Sequence, residues 1–414
     1  MTIPKPPPFS DVVVIGAGIW GLSAAWRLAQ AGVGRVAVLE RLNAPAQGAT
    51  PRAAALLSQA RDDEAAAALV HQTYRAIGEL EGALGEDLGL VNNGTLYVAG
   101  TRRSADSQTA LMAAARARGR RVERLTADQA AERVPWLPPS AVEQADFMPE
   151  DGFIDPYRLA TAYGRAAKQA GATFHYGCDV VGLHVAAGRV AGVELSDGSV
   201  VRAGAVVAAG GVWSAKLLAT AGVGLGTAPV RSRYWITARS PRFEGRFPTV
   251  ILPDAAAYAR PELGALLFGV REETGFAADP ALLPDDLGDL NLDDADRGLD
   301  GLAAGWEALT RFCPALDGVG LAHYVSGPSG YTLDGKFLLG PVAGLPGLIL
   351  AAGCCGAGIA ASGGVGRTVA ALAAGTPPPC DLTSFTPDRF GRLAPLDPAV
   401  GAACVASRAA KRGG

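Results

Sequence analysis

The sequence predicts an α/β chain: a doubly wound dinucleotide-binding domain joined to an α+β lobe with a large mixed or antiparallel sheet. Three observations predict it. A strand, a glycine loop, a helix and a second strand follow one another at the N-terminus. Apolar strands ending in small residues recur at 205–211 and 348–353, the later one followed by another glycine loop and a small-residue helix. Between them run strand-like segments, PVRSRYWITA, TVIL, AAYAR and ALLFGV, with no helical pattern interleaved.

The first unit opens with the β-branched run Asp11–Ile15, which reads as a buried parallel strand. Gly16-Ala17-Gly18-Ile19-Trp20-Gly21 follows, then a helix ending at Gly32, then the strand Arg35–Glu40. In this G-x-G-x-x-G arrangement Gly16 permits a tight turn, and Gly18 lets a pyrophosphate approach the helix N-terminus. Gly21 allows close helix–strand packing. Glu40 ends the second strand, where a carboxylate accepts hydrogen bonds from ribose hydroxyls and repels a 2′-phosphate. The motif does not separate FAD from NAD.

Helical composition continues over 62–85 and 103–133, and Asp155-Pro156 opens a helix to about Gly171, an Asp cap before Pro at the first helical position. Short strands then lead to Ala205–Gly211 and Val212-Trp213-Ser214, with a turn at Ser196-Asp197-Gly198. Residues 279–300 read as an acidic surface loop leading into a helix, Trp306–Phe312 as helical, and the tail beyond Pro377 as irregular. The block Leu348–Ile359 supplies a further strand and glycine loop before a helix to about Ala374. The positive end of that helix suits the charge that reduction places on a flavin. A nicotinamide enzyme needs no such second loop. Phe337–Gly366 carries no charge, but its glycines and prolines break any spanning helix, so it reads as strand, loop and helix start.

Composition excludes other classes. The net charge is −3 with both signs interspersed, and no basic stripe points to nucleic acid. The first ten residues carry four prolines and no apolar run, so they are not read as a secretory signal. Six irregularly spaced cysteines make no disulfide framework, so a reducing, cytoplasmic location is expected. His71, His175, His184 and His323 are scattered, and no metal is expected.

The stretches VVVIGAGIWGLSAAWRLAQAG…VAVLE, DGFIDPYRL, AVVAAGGVWS and LDGKFLLGPVAGLPGLILAAGCCGAGIAASGGVG together resemble the D-amino-acid-oxidase-like flavoproteins. That group includes sarcosine oxidase, glycine oxidase and dimethylglycine dehydrogenase. The resemblance implies a glutathione-reductase-like FAD-binding Rossmann domain and a substrate domain whose sheet roofs the flavin. It implies that Gly16, Gly18, Gly21 and Glu40 hold the ADP half, and that Ala49, Thr50, Arg52 and Ala53 line the flavin and pyrophosphate. Gly353, Gly356, Ala357, Gly358 and Ile359 would meet the ring. Ile19, Arg41, Val180, Ala209, Gly210 and Trp213 complete the expected cofactor set. Tyr234 matches a tyrosine near the substrate. Family members carry a histidine, an arginine, an arginine and a flavin-tethering cysteine at positions that read here as Ser232, Ser329, Ser58 and near Gly327. FAD is therefore expected to be non-covalent.

Tyr234, Arg61, Tyr258, Arg260 and His323 are the candidate catalytic and substrate-contacting residues, with Arg271 a further anion anchor. The expected reaction is FAD-dependent oxidation of a C–N bond in an amine or amino acid (a secondary or N-substituted amine, or a D- or imino acid) by hydride transfer to flavin N5, giving an imine that hydrolyses, with oxygen or a redox partner protein accepting the electrons. A homo- or hetero-oligomer is compatible with this reading. The alternatives are an FAD-binding scaffold subunit without turnover and an NAD-dependent dehydrogenase. The expected domains are 1–62, 146–222 and 328–380 for FAD, 63–145 and 223–327 for substrate, and 381–414 as a tail.

Overall fold

The protein, a computed structural model, is described over residues 6–272, 275–290, 292 and 298–410. Part of the acidic 279–300 stretch therefore lies outside the described residues. In the first sheet, Phe9–Ile15 pairs in parallel with Val36–Glu40 on one side and Val200–Ala208 on the other. Val200–Ala208 pairs in parallel with Leu348–Ala352, and Thr173–Tyr176 and Leu338–Pro341 close the two edges. Both faces are buried, as a parallel sheet requires. Val12 and Val14 pack into one core, Val13 and Ile15 into another.

Register decides where the loops emerge. Ile15 lies opposite Leu39 and Ala208, and Ala208 opposite Leu350. Gly16, Ala209-Gly210 and Gly353 therefore leave the sheet along one carboxyl edge, the usual place for a ligand crevice in an open α/β sheet. The helix Ser362–Ala373 wedges between the helices Ile19–Gln30 and Glu64–Leu84. A Cβ on Gly364 would stand 2.3 Å from Leu69 Cα, so that wedge needs glycine. The uncharged Phe337–Gly366 segment is two strands, a loop and the start of this helix. No helix among the described residues is long and apolar enough to cross a membrane.

The second sheet has eight strands in the order Leu321–Thr332, Thr227–Thr237, Ala265–Val270, Ala257–Glu262, Thr249–Leu252, Thr95–Ala99, Gln144–Met148 and Glu123–Leu125. Thr249–Leu252 runs parallel to Thr95–Ala99 and the other neighbours are antiparallel, so the sheet is mixed. Its core includes Trp235, Phe243, Phe268 and Phe312.

Two segments differ from expectation. Residues 103–133 form two helices, Arg102–Ala117 and Ala127–Arg133, separated by Glu123–Leu125. Gly119, at φ 76°, ends the first, and a capping box between Thr126 and Gln129 starts the second. The tail is not wholly irregular. Ala399–Ala410 is a helix whose buried stripe is Val400, Cys404 and Arg408, and it packs on Thr227–Thr237 and Leu321–Thr332.

Candidate active site

A cavity of about 610 Å³ runs along the carboxyl edge of the first sheet and on beneath the second. Gly16, Gly18, Ile19, Glu40, Arg41, Ala49, Thr50, Arg52, Ala53, Val180, Ala209, Gly210, Trp213, Gly353, Gly356, Ala357, Gly358 and Ile359 all line it. Gly21 does not. It packs on the first turn, where a Cβ would stand 1.9 Å from Gly16 O.

The first helix begins at Ile19 with no side-chain cap from Gly18 and no acid in its first turn, which leaves its positive dipole end open to an anion. Ile19 N–H donates to Thr50 Oγ1 at 3.1 Å, joining this turn to the GATPRAA stretch. The Ala17 and Leu42 N–H groups donate to Glu40 Oε2 and Oε1 at 2.7 and 2.9 Å. Those bonds fix the carboxylate and leave each oxygen a lone pair for a ribose hydroxyl. Arg41 stacks on Trp213, its guanidinium 4.3 Å from the ring centroid.

The late loop is held from both sides. Trp20 Nε1 donates to Gly358 O at 2.8 Å, Cys355 N–H to Gly330 O at 2.8 Å, and Gly356 N–H to Ser329 Oγ at 3.1 Å. Cys355 sits in the left-handed region at φ 47°, strain of a kind that clusters at ligand sites. Ser329, where relatives of the resembled family carry an arginine, thus orients the glycine loop. Ser58 accepts a hydrogen bond from Arg61 Nη1 at 2.9 Å. At Gly327, a Cβ would meet Arg52 Cδ at 2.8 Å, so the Arg52 stem fills the tether position.

At the other end of the cavity Tyr234, Tyr258, Arg61, Arg271 and Arg408 line the wall. Burial raises the pKa of the Tyr234 and Tyr258 hydroxyls, so both stay neutral and able to donate a hydrogen bond at physiological pH. Arg260 and His323 do not line the cavity. Arg260 Nε donates to Ala54 O at 3.0 Å, and its Nη1 binds Pro261 O and Glu262. It braces the GATPRAA stretch against the second sheet. His323 is exposed on its strand opposite Ile236. Arg408 and Tyr331 are lining residues that sequence reasoning missed. An arginine on the stripe Val400, Cys404, Arg408 was the available signal, because a charge at a buried helical position has a reason to be there.

A parallel sheet whose loops meet along one edge, an open helix N-terminus and a carboxylate for ribose define a dinucleotide-binding oxidoreductase site. The sequence profile of the FAD dependent oxidoreductase family matches residues 11–372, and the chain belongs to that family. It is 30% identical over 399 residues to human mitochondrial sarcosine dehydrogenase, covering 93% of this chain and 42% of that protein. It is 29% identical over 388 residues to 4-methylaminobutanoate oxidase (formaldehyde-forming) of Paenarthrobacter nicotinovorans, covering 91% and 45%. The chain thus spans less than half the length of these curated relatives. The crystal structure of glycine oxidase from Geobacillus kaustophilus superposes with a TM-score of 0.76 at 26% identity, covering 92% of this chain and 99% of the other. The cofactor of the family is FAD, and the residues present fit it. Glu40 would take the ribose, the helix start at Gly18 the pyrophosphate, and the loop Gly353–Ile359 the ring.

Proposed function

We propose that the chain oxidises a C–N bond in an amine or amino acid, a secondary or N-substituted amine or a D- or imino acid. The observation that carries the reading is one cavity with a dinucleotide cradle at one end and neutral tyrosines at the other, beside Arg271, whose Nη1 has no hydrogen-bond partner among the described residues. Relatives named for sarcosine, 4-methylaminobutanoate and glycine support it. Bound FAD would supply the oxidation, accepting a hydride from the carbon beside nitrogen and leaving an imine that water hydrolyses. The chain's own residues position the substrate. Tyr234 and Tyr258 offer hydrogen bonds to its polar end, and Arg271 offers a guanidinium to a carboxylate. Electrons would pass to oxygen or to a redox partner protein. The irregular spacing of the six cysteines, which suits no disulfide framework, supports a reducing, cytoplasmic setting.

Anaerobic mixing of the holoprotein with D-amino acids, N-methyl amino acids and cyclic amines tests the proposal by bleaching of the flavin. Absence of bleaching by every member of the screen would favour a non-catalytic scaffold instead.

A further inference from the structure

Arg271 follows directly on the strand Ala265–Val270, with its N–H held by Ala256 O at 2.9 Å. Its side chain lines the cavity, and Nη1 is buried without a hydrogen-bond partner. Among the described residues no carboxylate pairs with it, and the charged group that acts on it is Arg408, another cation. Arg408 comes from the helix Ala399–Ala410 and lines the same cavity with a side chain only 4% exposed. Its Nε and Nη1 are buried without hydrogen bonds. The nearest carboxylate oxygen, Glu272 Oε2, is 3.9 Å from Nη1, while Oε1 of the same group serves Arg231 and Arg233.

A guanidinium does not shed its proton, so burial leaves its charge in place. Two such groups facing one cavity, one with no carboxylate paired with it among the described residues and the other only 3.9 Å from an oxygen of Glu272, are stable when anions enter. Each guanidinium presents a fork matched to one carboxylate. A monoacid would satisfy one fork and leave the other buried guanidinium without a hydrogen-bonded carboxylate. Tyr331 lines the same cavity, its ring 5.9 Å from the Arg408 guanidinium, and its hydroxyl adds a neutral donor.

We propose that this cavity selects a substrate with two acidic groups, an amino dicarboxylate or N-carboxyalkyl amino acid, with Arg271 holding one carboxylate and Arg408 the other. The inference rests on the amine-oxidation reading for the reacting end of the substrate, but the binding of two carboxylates is measured separately.

The test has two arms on the holoprotein. In the first, acetate, malonate, succinate and glutarate are titrated against the flavin spectrum. At least one diacid is expected to bind about ten- to hundredfold tighter than acetate, the value of one charge-assisted contact. In the second, N-methylglycine, N-methylaspartate, N-methylglutamate and iminodiacetate are compared in anaerobic flavin reduction, with the same order of preference for diacids. Arg408→Met is expected to bring the diacid-to-monoacid ratio close to one, and Arg408→Lys to restore part of it. Equal affinity of wild type for monoacids and diacids overturns the proposal, as does a ratio unchanged in Arg408→Met. If that variant fails to fold, the wild-type series alone decides. Diacids that bind but no amine that bleaches the flavin would sink the oxidation reading and leave the diacid site standing.

Discussion

Substituting Gly18 by valine separates the cofactor cradle from the fold that carries it. At Gly18 the backbone is extended, φ −72° and ψ 174°, and a Cβ would find only Thr50 Oγ1 within 4 Å, at 3.7 Å. The space in front of it is the cavity. A valine there meets little protein and costs the apoprotein about 1 kcal/mol or less as a poor cap. It does fill the approach to the helix N-terminus. If two charge-assisted bonds to the pyrophosphate are lost, at about 1.5–3 kcal/mol each, FAD binding weakens roughly a hundred- to ten-thousandfold. Gly21→Ala makes the contrast, because its Cβ would stand 1.9 Å from Gly16 O, a backbone atom that cannot swing away. That clash is expected to destabilise the apoprotein by about 1–3 kcal/mol or more. The assay is the flavin-to-protein absorbance ratio after desalting, with thermal melts on FAD-free samples so that ligand linkage does not mask the comparison. A Gly18→Val protein with full flavin content would refute the assignment of the cradle. A Gly21→Ala protein as stable as wild type would refute the packing argument.

Tyr234→Phe is expected to slow substrate-driven flavin reduction about ten- to a hundredfold, the value of one or two hydrogen bonds, and an unaffected variant would move the pocket elsewhere. Acid precipitation is expected to leave the yellow colour in the supernatant; a yellow pellet would point to a covalent link, with Cys354 in the cavity wall as the first suspect. Asp151 is buried and its pKa is raised by desolvation from 3.8 to about 7. A raised carboxyl stabilises the fold fully below the unfolded pKa, and that contribution is lost as pH rises through the folded value. Wild-type stability measured by urea unfolding should therefore fall, on the order of a few kcal/mol, between about pH 4 and pH 7 through this group. Asp151→Asn is expected to flatten that slope, and an unchanged slope would count against it.

Local chemistry carried much of this fold. Continuous β-branched runs, the spacing of Gly16, Gly18 and Gly21 and the acid at Glu40 are short-range signals. A βαβ unit is built from neighbours in the chain, so they could be read without a structure. The caps of Asp63 and Asp155 are of the same kind, since each side chain bonds a backbone N–H three residues on. What tertiary structure alone decided was which charged side chains meet the cavity. Arg260 and Arg271 stand eleven residues apart in neighbouring segments and look alike in sequence. The first is consumed by Ala54 O and Glu262, and the second is left facing the cavity. Ser329 looked like a lost anchor until the fold placed Gly356 N–H against it. Arg408 reaches the site because a helix at the far end of the chain packs across two strands of the second sheet. Contacts between distant segments depend on packing and register, which no local pattern encodes.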